Sequence, residues 1–464
     1  MSLSRRGLLK DGLVAAAGGV AVIAATGLAR ADTGAATSAR RSGVRPRRFR
    51  AWISRGSAGP RTTLQEVTLH PIGGRRVLVR TEATNLCYFC SAAVLGIGPA
   101  PNPHAPPMMR AMQDKANAMA MIQGHGGIGV VEAVGPDVRR VKIGDRVCVS
   151  GTPQCGVCYQ CLRGRANLCQ FLGPAQNPDN LTVLGELRDG TPVYANSQIG
   201  GLAELMVTDE EWVIPVVTQA KAVDLGTVCS CVSVAGLGAT VSQGTAIFSP
   251  GATAAVVGCG PLGLSAVQGA RLAGASTIIA IDPVAARRDV ARRLGATFVL
   301  DPNAEGDGLV RKVRELTLRA NPSVWGGGFG TGMFGGGGAD YVVEAAGAEW
   351  VRPKVEAVSD PTGVMAIQQA YSMALDGGHL VTTSVASGVV SFPAGLFNIG
   401  GCTHHAGQAG GCSPLRDIPR FVSLLDTGRY DPVTMRTDVV PFEKVVEAYP
   451  EVAYRTTVFA LMVV

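Results

Sequence analysis

The chain has 464 residues, 17% of them charged, and a formal net charge of +7. This length allows two or three domains around a large buried core. Residues 1–50 hold ten Lys or Arg and two Asp, so this segment carries +8 and the rest of the chain carries −1. The basic character therefore belongs to the N-terminal segment, and we expect no basic surface for nucleic acid.

The N-terminal segment resembles a bacterial twin-arginine export signal. Arg5 and Arg6 precede a weakly apolar run from Leu13 to Leu28, and Ala29-Arg30-Ala31 fits an A-x-A cleavage site. The run is short for a bilayer span and rich in Gly and Ala, which disfavours a membrane anchor. We expect a signal peptide in residues 1–31, recognised by the twin-arginine export machinery, then a basic linker in residues 32–50. The mature protein would be exported to the periplasm or beyond; without a functional signal it would stay cytoplasmic.

Short apolar runs bounded by Gly, Pro and Asp follow from Ala51 onwards. Val77 to Val79 and Val130 to Val134 are two of them, and Gly144-Asp145 forms a turn into a third. This pattern is typical of β-strands. It predicts a largely β domain.

Four cysteines lie close together within that domain. Three are spaced at i, i+3 and i+6, and a fourth follows eight residues later, as Cys155, Cys158, Cys161 and Cys169. Four thiolates can close a tetrahedral shell around structural zinc. Disulfides are the alternative, especially in an exported protein. Such close spacing makes simultaneous unstrained bridges difficult, so the pattern favours zinc.

A glycine fingerprint lies between two apolar runs further along the chain. Gly258, Gly260 and Gly263 form G-x-G-x-x-G after an apolar run and before a helical pattern. This context predicts a turn that binds a dinucleotide pyrophosphate at a helix N-terminus. Asp282 ends the second run, where its carboxylate can bind an adenosine ribose and repel a 2′-phosphate. NAD is therefore predicted over NADP.

From about Ala51 to its C-terminus, the chain resembles the zinc-dependent medium-chain dehydrogenases of the alcohol dehydrogenase superfamily. The segments that carry the resemblance are A-T-N-L-C, G-H-G-G-I-G, the four-cysteine lobe, C-V-S-V-A-G, the glycine fingerprint and V-P-F-E-K. The resemblance implies an α/β protein, with a GroES-like, mainly β catalytic domain and a Rossmann domain with a doubly wound parallel sheet. The implied domains are 51–232 and 233–399, followed by a return to the catalytic domain in 400–464.

The same resemblance implies the site residues. Cys87, His125 and Cys231 would hold a catalytic zinc with one position open. Arg287 would lie near the adenosine, and Arg455 would reach the pyrophosphate. The implied activity is hydride transfer between an alcohol, or an aldehyde or ketone, and NAD. The family also implies a homo-oligomer.

The chain departs from the family at positions that carry the alcohol's proton outward or that surround the metal ligands. Phe89 replaces a Ser or Thr, Cys90 an acid, Gly126 a Glu, and Ala92 a relay histidine. Tyr88 or Ser91 would be substitute hydroxyls. Cys90 is either a small core thiol or a fourth ligand that closes the metal site.

Three further segments are either inserts relative to the family or contain residue types that can bind metal. Residues 99–121 are rich in Pro and Met, and we expect the methionines, at helical spacing, to pack in the core rather than bind metal. Residues 326–338 are a glycine-rich insert. Cys402, His404, His405 and Cys412 fall where the chain should return to the catalytic domain. We favour a structural role for them.

Two alternatives stay open at this point. One is an exported protein that binds zinc and nucleotide without turnover, which the altered proton relay favours. The other is a dehydrogenase whose NAD never dissociates, which suits an exported enzyme where free NAD is scarce.

Overall fold

A computed structural model describes residues 47–55, 62–97, 111, 114–116, 118–173, 177–242, 248–318, 337–392 and 401–464. The predicted signal peptide, most of the linker and most of the two inserts lie outside these residues. Residues 48–50, predicted to be linker, instead begin the first strand. Met121 is buried on a strand rather than a helix, so the helical spacing of the methionines is not kept there.

The strands of the described residues are β1 (Arg48–Ser54), β2 (Thr63–Leu69), β3 (Arg76–Asn85), β4 (Ala120–Ile122), β5 (Gly127–Val134), β6 (Arg146–Val149), β7 (Gly185–Glu186), β8 (Pro192–Ala195), β9 (Leu205–Asp209), β10 (Val213–Pro215), β11 (Thr253–Val257), β12 (Thr277–Ile281), β13 (Phe298–Leu300), β14 (Ala339–Glu344), β15 (Ala374–Thr382), β16 (Thr403–Ala406), β17 (Asp438–Pro441) and β18 (Ala460–Val463).

The first half of the described chain is mainly β, as predicted. Strands β1, β2, β7, β8 and β4 close a barrel, and a second sheet runs β10-β6-β5-β3-β18-β17 with β9 also paired to β3. The predicted runs lie in β3 and β5, and Gly144 adopts the positive φ of a turn before β6. Because β17 and β18 come from the C-terminus, the chain does return to this half.

A parallel sheet of order β13-β12-β11-β14-β15-β16 forms the other half. Strand β11 is fully buried and almost entirely apolar, as a parallel strand covered on both faces should be. This confirms the predicted Rossmann class. The predicted end of this half at residue 399 is too early, because β16 extends the sheet to Ala406. His404 and His405 therefore belong to this sheet and not to the returning segment.

The helices of the described residues are α1 (Ser91–Leu95), α2 (Tyr159–Leu162), α3 (Ala222–Val228), α4 (Cys231–Val241), α5 (Pro261–Leu272), α6 (Ala285–Leu294), α7 (Pro302–Glu305), α8 (Leu309–Leu316), α9 (Val364–Met373), α10 (Pro414–Asp426), α11 (Pro432–Met435) and α12 (Val445–Ala453), with a 3-10 turn at Tyr88–Cys90 between β3 and α1.

The first residues of helices α4 and α5 explain why these two helices begin where they do. Helix α4 begins after Ser230, whose hydroxyl accepts the N–H of Ser233 as an N-cap. Helix α5 has Pro261 in its first turn, where the missing N–H costs no helical hydrogen bond.

Among the described helices, none alone has the length and apolarity of a membrane span. Helices α3 and α4, which are bent by 51° relative to each other, meet that test as a pair, by length and composition only.

Candidate active site and metal centres

A cavity of about 300 Å³ lies between the β half and the parallel sheet. The glycine turn after β11 and the ends of β12 and β14 line one wall, and the segment after β3 lines the other. This is the carboxyl edge of the parallel strands, where open α/β sheets bind ligands.

Cys87, His125 and Cys231 come together beside this cleft, although 144 residues separate the two cysteines. Their ligand atoms all lie within 4.8 Å of one another, and the two Sγ atoms are 3.9 Å apart. Cys87 follows β3, His125 precedes β5, and Cys231 opens α4. Two thiols and one imidazole form a donor set for zinc with one open position.

The electrostatics of this group also suit a cation. The neighbouring Cys231 thiol and burial raise the pKa of Cys87 well above its ordinary value. Burial lowers the pKa of His125, but its interactions with the neighbouring Cys87 and its hydrogen bond to Cys90 outweigh burial and raise that pKa well above the ordinary value. A divalent metal would let both thiols ionise beside a neutral imidazole.

Cys90 contacts one ring nitrogen of His125. Its Sγ lies 3.6 Å from Nδ1 of His125 and it is absent from the ligand group formed by the described residues. With its proton on Nδ1, the imidazole donates to Cys90 and keeps Nε2 free for a metal. This geometry favours an open metal site over one closed by a fourth thiolate.

Two further residues hold the ligands, and the sequence reasoning missed both. The Asn85 amide nitrogen lies 3.6 Å from Sγ of Cys231, and the hydroxyl of fully buried Tyr449 donates to the carbonyl of Cys87. Asn is uncommon in strands, so its place at the end of β3 was a usable signal. Tyr449 comes from α12, and no local pattern connects it to Cys87.

Of the positions that differ from the family, Phe89 lines the cleft. Phe89 is 56% exposed and meets His125 and Trp350 edge-on, with ring centroids 6.1 and 5.7 Å away. Ala92 is buried. Of the two substitute hydroxyls, Ser91 is fully buried and does not line the cleft, and Tyr88 lines it with its hydroxyl hydrogen-bonded to backbone.

The four lobe cysteines form a second group. Their Sγ atoms also lie within 4.8 Å of one another, and all four are free thiols, with 3.9 Å between Cys155 and Cys161 and 4.0 Å between Cys158 and Cys169. These distances are about twice the length of an S–S bond in a disulfide. Burial opposes ionisation of Cys158, but backbone N–H groups of Gln170 and Cys161 lower its pKa to about 6. Four thiols with one already acidic fit a closed structural zinc shell.

The other metal-like residues take structural positions. His379 Nδ1 and His405 Nε2 lie 3.1 Å apart, and His404 contacts Thr382 on the opposite face of β16. Cys412 is buried against the Val234 carbonyl. Within the described residues, these side chains do not join a group of three metal ligands.

The glycine turn has the shape of a phosphate site. A Cβ on Gly263 would lie 1.8 Å from the Gly258 carbonyl oxygen, so only glycine lets α5 approach the strand. Gly258 has a φ of +93°, which favours glycine. A Cβ on Gly260 would meet nothing within 4 Å, which leaves open space in the cleft wall. This space before a helix N-terminus fits a pyrophosphate.

The charged residues assigned to the cofactor also reach the cleft. Asp282 is buried at the end of β12, and its carboxylate accepts the N–H groups of Cys259 and Val284 at 2.7 and 2.8 Å. Arg287 is buried, and its guanidinium donates to the Arg455 carbonyl at 3.1 Å. Asp282, Arg287 and Arg455 all line the cavity.

Comparisons with known proteins agree with this geometry. An alcohol dehydrogenase GroES-like domain matches residues 73–218, and a zinc-binding dehydrogenase domain matches residues 261–367. A putative alcohol dehydrogenase D of Mycobacterium tuberculosis is 30% identical over 397 residues, covering 85% of this chain and 94% of that protein. An NDMA-dependent alcohol dehydrogenase of Amycolatopsis methanolica is 28% identical over 405 residues, 85% of this chain and 93% of that one.

Solved structures share the fold. A zinc-binding-domain alcohol dehydrogenase protein from Burkholderia ambifaria superposes with a TM-score of 0.71 at 25% identity, covering 90% of this chain and 99% of that one. Benzyl alcohol dehydrogenase from Acinetobacter calcoaceticus gives 0.69 at 21% identity, covering 90% and 99%.

Proposed function

Because the chain belongs to the zinc-dependent alcohol dehydrogenase family, we propose that it transfers hydride between an alcohol, or the matching aldehyde or ketone, and NAD. The observation that supports this proposal is that one cleft is lined by Cys87, a member of the candidate metal group, and by the glycine turn. The enzyme is an oxidoreductase, and its cofactors are zinc and NAD.

Each cleft residue has a task in that reaction. When bound, zinc would polarise the substrate oxygen as a Lewis acid and NAD would take up the hydride. Cys87, His125 and Cys231 would hold the zinc, while Asp282 would bind the adenosine ribose and Arg455 the pyrophosphate. Phe89 and Trp350 would keep water from the reacting atoms. The non-catalytic alternative finds little support, because Cys90 contacts Nδ1 of His125 and stands outside the group of three candidate ligands formed by the described residues.

The test is turnover by zinc-loaded protein on primary, secondary and aromatic alcohols, followed by NADH absorbance. We expect activity with NAD and much less with NADP, since the Asp282 carboxylate repels a 2′-phosphate. Protein that binds zinc and NAD but oxidises no alcohol would contradict the proposal. Turnover that needs an added electron acceptor, with nucleotide released only on denaturation, would instead support a non-dissociating NAD.

We further propose export through the twin-arginine route, on the strength of the residues at the N-terminus alone. Replacing both Arg5 and Arg6 with Lys should leave uncleaved precursor in the cytosol, and the unaltered chain should mature at or near Asp32. Fractionation and N-terminal mass spectrometry measure this. Normal processing in a strain without twin-arginine transport would exclude the proposal.

A further inference from the structure

A long loop, which no sequence motif marks, borders the cleft. Residues 345–363 join β14 to α9 without regular structure. Loops beyond about 12–15 residues in a compact domain are uncommon, and most are either functional or linker segments. This cleft loop contributes Glu349, Trp350 and Asp360 to the lining of the cavity.

Tyr88 fastens the cleft loop from the opposite wall. Its hydroxyl accepts the backbone N–H groups of Trp350 and Val351 at 2.9 and 3.1 Å, and it lies 3.1 Å from the Val351 carbonyl, to which it can donate. Val351 is buried, so its amide depends on a protein partner. One phenol therefore satisfies two backbone donors across the cleft.

The same ring also places Arg455. The guanidinium carbon lies 4.7 Å from the centroid of the Tyr88 ring, and Nη2 donates to the Tyr88 hydroxyl at 3.3 Å. Arg455 has a φ of +61°, an unusual conformation for a residue with a side chain. A second tie lies beside it, where the Lys354 N–H donates to the Tyr454 carbonyl and the Lys354 ammonium sits 3.8 Å over the Tyr454 ring.

We propose that Tyr88 is a positioning residue for the cofactor, holding the cleft loop and Arg455 around bound NAD and thereby limiting its release. The glycine turn, Arg455 and the loop line the same cavity, so a dinucleotide bound there would contact the loop and would leave more easily when the loop parts from Tyr88. This inference rests on the proposed function for the identity of the nucleotide. It adds a residue outside the metal ligands and the glycine fingerprint.

The test compares Tyr88→Phe with Tyr159→Phe in the zinc-loaded protein. Tyr88→Phe keeps the ring over Arg455 but leaves two backbone donors without the phenol, while Tyr159 is exposed on the cysteine lobe. We expect Tyr88→Phe to raise the NADH dissociation rate constant and the KM for NAD about tenfold, without lowering kcat. Tyr159→Phe should change neither. Stopped-flow displacement of fluorescent NADH measures release directly.

The outcomes separate this inference from the proposed function. Faster NADH release in Tyr88→Phe confirms the positioning role even if no alcohol is oxidised. A release rate and KM within twofold of the unaltered protein overturn it even if alcohol oxidation is normal. A fall in kcat with unchanged release also overturns it, because that pattern points to the neighbouring metal group instead.

Discussion

Cys231→Ser should remove one of two zinc ions per chain and lower kcat/KM for alcohol oxidation by about 1,000-fold or more. Lewis-acid polarisation of an oxygen contributes several kcal/mol, and each 1.4 kcal/mol is tenfold in rate. Cys231 lies at the first residue of α4, so the backbone should keep its place while the soft thiolate is lost. Metal analysis and steady-state kinetics measure the two effects.

Cys90→Ser is the matched control for this result. Because Sγ of Cys90 contacts Nδ1 of His125 and is not in the candidate ligand group, the variant should keep both zinc ions. Its activity should fall by no more than about 100-fold, the upper end of the range for residues that orient a metal-bound histidine. Loss of zinc from Cys90→Ser, together with no activity in the unaltered protein, would mean that Cys90 closes the metal site. The chain would then be a binding protein.

Cys158→Ser should remove the other zinc and destabilise the fold by about 4 kcal/mol or more, the range expected when a structural metal is lost. Cys158 is the N-cap of α2, and its Sγ accepts the N–H of Cys161, so the lobe loses both a ligand and a local contact. Thermal unfolding and limited proteolysis between residues 155 and 169 should show the effect, with the active-site zinc retained.

The oxidation state of the four lobe cysteines in the unaltered protein tests the zinc shell directly. Its cysteines should react with thiol reagents only after metal is removed, and intact-mass analysis should find four reduced thiols. A single zinc per chain with disulfides among Cys155 to Cys169 would refute the zinc shell.

Local patterns predicted the parts of the protein that depend on neighbours in sequence. The lobe cysteines lie within a short segment, and the glycine fingerprint needs only one strand and one helix. Both were therefore predictable from sequence spacing alone. Cys87 and Cys231 are far apart in sequence, and only the family resemblance connected them before the structure did.

The missed features depend on contacts between distant segments. Tyr88 and Trp350 are 262 residues apart, and the cleft loop has no periodicity to mark it. Strand β16 has the sequence T-H-H-A, too polar to be recognised as a buried parallel strand, and the boundary implied by the family resemblance falls before it. It is an edge strand with exposed residues, where such polarity is tolerated.

The turn at Cys87–Cys90 has a consequence for engineering. Cys87 precedes the turn and belongs to the candidate metal group, Cys90 lies against His125, and Tyr88 and Phe89 line the cleft. We therefore expect substitutions within these four adjacent codons to affect metal retention, nucleotide release and pocket shape together. A library that randomises Phe89 to change substrate range should vary this codon alone, and every selected clone should be checked for zinc content before its new activity is attributed to the pocket.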